Sequence, residues 1–231
     1  KPDFVEAHSN LGNMLLALGK VEEAAASYCK ALEIQPDHAE AQYFLAAITG
    51  ENLEKAPQDY LISLFDAYAP RFENHLTEHL HYKVPKLLRD AIGRVMGEKN
   101  TSLKILDLGC GTGLCGPLFR DIADQLSGVD LSPKMLEQAR EKNVYDSLIE
   151  GDLVEVLESE NDGSLDLVLA ADVLIYLGNL DPVFKVCSKA LREGGHFAFS
   201  AETSYGKDFI LQHSGRYAHS ARYIEDLAKK N

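Results

Sequence analysis

The sequence predicts an α/β protein in which a parallel β-sheet, covered by helices on both faces, follows an all-helical segment. Three observations carry this expectation. From residue 101 onward, short apolar runs alternate with helical stretches, the pattern of strands buried on both sides. Residues 1–50 hold apolar side chains at helical spacing throughout. The composition, 45% hydrophobic and 26% charged over 231 residues, is that of a folded chain, long enough for one domain and a small accessory module.

Along the chain, Leu11, Met14, Leu15 and Leu18 follow helical spacing until Gly19-Lys20 breaks the run. Ala24, Ala25, Tyr28, Ala31 and Leu32 mark a second helix that ends before Pro36-Asp37. The pattern then restarts 34 residues on, from Leu11-Gly12 to Leu45-Ala46, a helical-repeat period. Residues 51–100 read as a bridge of further helices with an apolar stripe of Tyr60, Leu61, Leu64, Phe65 and Tyr68, after which Pro70 is expected to restart the chain. If the helix instead runs through Pro70, Tyr68 and Phe72 share a face and the bridge is expected to act as a lid. Inside the bridge lies His75-Leu76-Thr77-Glu78-His79. On a helix its two histidines share a face, so zinc binding with Glu78 as base is one reading. A solvated helix face is the other, and no metal is expected because no separate third ligand announces itself.

The expected strands are Leu103–Leu108, 125–130, 147–151, Leu165–Ala170 and 196–201, with helices near 114–123, 133–142, 153–159 and 181–192. The implied division is therefore 1–50 (helical repeat), 51–100 (bridge) and 101–231 (α/β core). Ligands of such sheets sit at the carboxyl ends of the strands, where strand order reverses.

Charge narrows the function. Against 36 acidic side chains stand 23 basic ones, a formal net charge of −13, so no nucleic-acid or anionic-membrane partner is expected. No apolar run approaches the roughly 20 residues of a membrane span. The four cysteines, Cys29, Cys110, Cys115 and Cys187, form no C-x-x-C pair, which favours free thiols and a cytoplasmic location. On that reading the sequon Asn100-Thr101-Ser102 is incidental. A chain opening on Lys1 is expected to be a piece of a longer one.

The first expected strand runs into Asp107-Leu108-Gly109-Cys110-Gly111-Thr112-Gly113. Alternate glycines allow a tight turn and bring bare backbone to a ligand. Gly111, Gly113 and Gly116 satisfy G-x-G-x-x-G, and Asp130 stands at a distance suited to ribose hydroxyls, so dinucleotide binding is one reading. The second uses more residues. Asp107 with its glycines, Gly128-Val129-Asp130-Leu131-Ser132, Glu150-Gly151-Asp152-Leu153, residues 165–172 and Leu191 to Phe197 resemble, in order, the motifs of class I S-adenosylmethionine-dependent methyltransferases, whose sheet is Rossmann-like. Leu11, Gly12, Leu15, Ala24, Tyr28, Ala31 and Pro36 resemble one tetratricopeptide repeat, with His8 at a usual aromatic position. Such a repeat recruits a protein partner; an ordinary helical hairpin is the alternative. Together the two segments are similar to bacterial predicted methyltransferases that carry these repeats, and the core alone to small-molecule methyltransferases of quinone and biotin pathways.

The resemblance implies S-adenosylmethionine as cofactor. Asp107 with Gly109, Gly111 and Gly113 would support its methionine end, Asp130 and Leu131 its ribose, and Asp152 with Leu153 its adenine. The Ala170 carbonyl would face the ammonium, and Tyr68 would cover the pocket. Asp152 has an alternative role as a helix cap, and Asp166 is expected to cap or turn. The implied reaction is methyl transfer to oxygen or nitrogen of a small molecule or protein. Asp172 and Tyr176, and after the fifth strand Arg216, Tyr217 and His219, are candidates near the acceptor. A non-catalytic interaction module with a sensing pocket is the other class of function left open. One departure stands out. The family's C-terminal hairpin is missing and the chain ends in a helix, so strand five is expected at an uncovered edge, as truncation would leave it.

Overall fold

The computed structural model describes residues 4–97 and 102–231. Asn100 and Thr101 of the sequon, and the expected boundary at residues 100 and 101, lie outside the described residues.

The chain begins with helices α1 (Val5–Ala17), α2 (Val21–Ile34), α3 (Ala39–Thr49), α4 (Gln58–Asn74) and α5 (Val84–Met96). Then follow β1 (Leu103–Leu108), α6 (Gly116–Phe119), β2 (Ala123–Asp130), α7 (Pro133–Glu141), β3 (Ser147–Glu150), α8 (Leu153–Ser159) and β4 (Leu165–Ala170). The last part holds α9 (Asp181–Ala190), β5 (Leu191–Phe199), β6 (Glu202–Thr203), β7 (Phe209–Leu211), β8 (Tyr217–His219) and α10 (Ala221–Lys230). These elements form two compact units whose division differs from the expected boundaries. One takes the chain up to Tyr60 with Ile175–Asn179 and Glu202–Ile224; the other takes Leu61–Leu174, Leu180–Ala201 and Glu225–Asn231.

In the first unit, Gly12 lets α1 and α2 approach: a Cβ there would stand 2.5 Å from the Tyr28 ring. Tyr28 is fully buried and donates to Asn13 Oδ1 at 2.7 Å, while Ser9 and Asn13 both donate to Glu40 of α3. The second repeat stops after this one helix. Its outer partners are aromatic instead: Phe44 stacks on Tyr28, Tyr43 meets Tyr217, and the Tyr43 hydroxyl donates to Gly215 O at 3.0 Å. Tyr217 belongs to a small sheet in the order β6-β8-β7, which the sequence reading did not anticipate.

His219 on β8 is 1% exposed. Its Nε2 donates to Leu177 O (2.8 Å) and Gly178 O (3.1 Å), leaving Nδ1 buried without a partner. Burial holds its pKa below the ordinary value, against the pull of both carbonyls. The unfolded histidine, with a pKa of about 6.5, therefore binds protons more readily than the folded one. Stability from this site is expected to be present above that value and to fall as pH drops through it. His219→Gln, which keeps a donor, should flatten that slope in thermal melts between about pH 8 and about pH 5; an unchanged slope would contradict it.

The second unit is built on a five-stranded parallel sheet in the order β3-β2-β1-β4-β5. β1 and β4 are buried at all but one position each, which is why they read as continuous apolar runs. Leu88 and Ile92 of α5 join Ile105, Phe119, Leu126, Leu167 and Leu169 in one core cluster. Strand order reverses between β1 and β4, the usual place for a ligand crevice. Asp166, expected to cap or turn, accepts from Lys104 N at 2.7 Å and pairs with Arg192.

Several elements differ from expectation. β5 begins at Leu191, because Leu165 pairs with Leu191 but Leu167 already pairs with His196; the extra residues bulge out at Gly194, whose φ is +74°. α6 is a single turn rather than the stretch 114–123, since the Arg120 guanidinium binds the Ala123, Asp124 and Val144 carbonyls and draws the chain into β2. α4 does not restart at Pro70 but runs through it. Proline removes one helical hydrogen bond; flanking contacts offset the loss, with Asp66 Oδ1 accepting from Ser132 Oγ at 2.6 Å and Ala69 O from Gln138 at 2.7 Å. Among the described residues β5 is the edge strand of this sheet.

Candidate functional site

The site lies at the carboxyl ends of β1, β2 and β4. After β1 the backbone turns three times through the left-handed region, at Gly109 (φ +59°), Gly111 (+54°) and Gly113 (+84°), which only glycine enters without strain. The loop is pinned to the end of β2: Cys110 N donates to Val129 O at 2.9 Å, and Gly111 N to Asp130 Oδ2 at 2.8 Å. The other oxygen of Asp130 accepts from Ser132 N at 2.8 Å. Two backbone donors thus fix this carboxylate while leaving further lone pairs open, since an ionised carboxylate offers about four acceptor sites. Burial raises the Asp130 pKa, and the amides of Ser132, Gly111 and Leu131 oppose that rise.

Asp107 is 1% exposed. Its Oδ2 accepts from the Tyr145 hydroxyl at 2.7 Å, and its Oδ1 is buried with no partner. Burial moves its pKa up to about 7, with the Tyr145 hydrogen bond opposing and the Asp130 charge adding. Burial also pushes the Cys110 and Cys115 thiols up, so neither loop cysteine is a ready nucleophile.

Around this centre, Asp152 caps α8 through Val154 N at 2.8 Å, the capping role left open by the sequence. The Ala170 carbonyl at the end of β4 accepts from Ser200 N at 3.1 Å and keeps a second lone pair. Asp172 has a left-handed backbone (φ +56°). Its N–H donates to Ser200 Oγ at 2.8 Å, its Oδ1 accepts from the same hydroxyl at 2.6 Å, and Tyr82 hydrogen-bonds its carboxyl. A strained, hydroxyl-clamped carboxylate at the strand ends is the kind of feature found at functional sites.

Tyr68 and Phe72 share one face of α4, with ring centroids 5.1 Å apart, and the Phe72 ring lies 3.8 Å from where a Cβ on Gly111 would be. The Tyr68 hydroxyl is hydrogen-bonded to His75. His75 and His79 lie in a π-turn with rings 5.8 Å apart; among the described residues no three His, Cys, Asp or Glu side chains gather as metal ligands. Of the acceptor candidates, Asp172 belongs to the same unit as the glycine loop, whereas Tyr176, Arg216, Tyr217 and His219 belong to the other. Tyr145 and Ser200 are the contributors that the sequence reading missed. An aromatic set opposite a run of glycines was the available signal for Tyr145.

A glycine loop after β1, an acid closing β2, a capping acid after β3 and the strand order 3-2-1-4-5 define a class I S-adenosylmethionine-dependent methyltransferase fold, here preceded by a tetratricopeptide-like helical segment. Comparison with known proteins agrees. Residues 106–199 match the family described as "Methyltransferase domain" and residues 12–52 the family described as "TPR repeat". The ubiquinone biosynthesis O-methyltransferase of Idiomarina loihiensis is 31% identical over 47% of this chain and 46% of its own length. Human methyltransferase-like protein 27 is 33% identical over 49% of this chain and 46% of its own. The chain thus spans about half the length of the curated relatives it matches. Among solved structures, a methyltransferase in complex with the Trm112 methyltransferase activator of Haloferax volcanii superposes with a TM-score of 0.54, at 20% identity over 72% of this chain and 74% of that one. None of the described helices is long and apolar enough to cross a membrane.

Proposed function

We propose that the chain transfers the methyl group of S-adenosylmethionine to an oxygen or nitrogen of a small-molecule or protein acceptor in a cytoplasmic setting. The observation that carries this reading is the pair of acids at the ends of β1 and β2: Asp130 held on two backbone amides, and Asp107 with one buried oxygen unpartnered. An orphaned buried oxygen beside left-handed glycines fits a ligand with a cationic amino-acid end. Asp130 with Leu131 would hold the ribose, Leu153 and the outer side of Asp152 the adenine, and the open lone pair of Ala170 O the ammonium.

When bound, the cofactor supplies an electrophilic methyl on a sulfonium. The chain's own residues hold the two reactants in line and exclude water, effects that together lower a displacement barrier substantially. Asp172, clamped by Ser200 and Tyr82, is the group we assign to orient the acceptor or take its proton. The half of α4 that carries Tyr68 and Phe72 acts as a lid, an aromatic cover over the loop that also attracts a cation. Hydrogen exchange in residues 61–80 is expected to slow when S-adenosylmethionine binds; identical exchange with and without it would refute the lid. The tetratricopeptide-like helices are assigned to a protein partner.

Calorimetry with S-adenosylmethionine followed by a methyl-transfer screen tests the function. Binding with turnover supports it. Binding without turnover on any acceptor, in the presence of the partner, would favour a sensing module instead.

A further inference from the structure

We propose that Tyr145 is a positioning residue of this pocket: its ring fills the space that three glycines leave open, and its hydroxyl holds the Asp107 carboxyl so that one oxygen stays free for the ligand. The inference rests on reading the site as an S-adenosylmethionine pocket.

Tyr145 comes from the segment between α7 and β3. A Cβ added to Gly113 or Gly116 would stand 2.9 Å from its ring, and one added to Gly128 of β2 would stand 3.1 Å from it. The first two separations essentially do not occur between real Cβ atoms and their neighbours, and the third is tighter than most real contacts. The ring is therefore seated under the glycine loop by the absence of side chains at these positions, and two of the three glycines belong to the G-x-G-x-x-G run. This gives the motif's spacing a packing role in addition to ligand approach.

The hydroxyl at the far end of that ring donates to Asp107 Oδ2 at 2.7 Å. The other groups that face Asp107 are Asp130 from the end of β2, Cys110 and Cys115 from the loop, and Tyr82 from the segment before α5. All are acids, and burial keeps the thiols and phenols neutral. The Tyr145 hydroxyl thus supports the carboxylate form against both burial and the Asp130 charge. A cationic ligand group reaching Oδ1 would add support from the other side. Tyr145 touches no reacting atom, so its effect must pass through Asp107.

The test uses the full chain as wild type, Tyr145→Phe and Asp107→Asn, with S-adenosylmethionine affinity measured by calorimetry from about pH 6 to about pH 9. Asp107 carboxyl titration is followed in parallel by carbon NMR of the ligand-free protein. Wild-type affinity is expected to rise through neutrality and level off. Tyr145→Phe keeps the ring and loses only the donor, so the midpoint should move up by about 1–2 pH units, with affinity roughly tenfold weaker at neutrality and converging on wild type at the alkaline end. Asp107→Asn should remove the pH dependence. A Tyr145→Phe variant that loses affinity equally at every pH, or that follows the wild-type curve throughout, would overturn the proposal. Should the wild type bind no S-adenosylmethionine at any pH, the pocket reading fails, and the ligand-free titration still decides the role of Tyr145. An Asp107 midpoint higher in Tyr145→Phe sustains it, and an unmoved midpoint refutes it.

Discussion

Asp130→Ala is expected to weaken S-adenosylmethionine binding by about 1.5–3 kcal/mol, roughly ten- to hundred-fold, the range for losing a charged hydrogen-bond partner. Two costs combine. In the proposed complex the ribose hydroxyls would lose their acceptor, and the amides of Gly111 and Ser132, now paired with the carboxylate at 2.8 Å each, would lose theirs. Asp130→Asn separates charge from shape. Because both carboxylate oxygens accept from backbone N–H groups, an amide must turn its NH2 toward one of those donors, so the nearly isosteric variant should also bind weakly. Calorimetry checks both, and affinity unchanged in Asp130→Ala would contradict the role given to this acid.

Gly109→Ala is expected to destabilise the second unit more than any surface change. The φ of +59° at Gly109 costs an L-residue about 1–2 kcal/mol. The new Cβ would also stand 2.3 Å from Val173 Cγ2, adding about 1–3 kcal/mol of overpacking. The double variant Gly109→Ala/Val173→Ala should recover the second part and not the first. Thermal or urea unfolding of the single and double variants measures the split; full recovery in the double variant would mean that the left-handed turn carries no cost.

The same physics explains what could be read in the sequence. β1 and β4 were legible to the residue because strands buried on both faces leave unbroken apolar runs. The glycine loop and Asp130 were legible because backbone conformation and charge restrict which residues can stand there. β6, β7 and β8 were not, since strands of two or three residues are too short to show alternation. The start of β5 was hidden by a bulge that local pattern does not encode. Pro70 misled because the contacts that hold α4 through it come from Ser132 and Gln138, more than sixty residues on. His219 stood as a candidate near the acceptor from its position after strand five; in the structure its Nε2 donates to two carbonyls and its Nδ1 is buried. Only tertiary structure reveals such a role.

On the reading proposed above, the ends of β1, β2 and β4 form an S-adenosylmethionine pocket. A crystal structure of the full chain grown with S-adenosylhomocysteine, the product left after methyl transfer, tests it most directly. The expected density places ribose hydroxyls on Asp130, an amino-acid end over Gly109 to Gly113 near Asp107, and adenine beside Asp152 and Leu153. Density for the ligand elsewhere on the chain, or an empty pocket at saturating ligand, would contradict it.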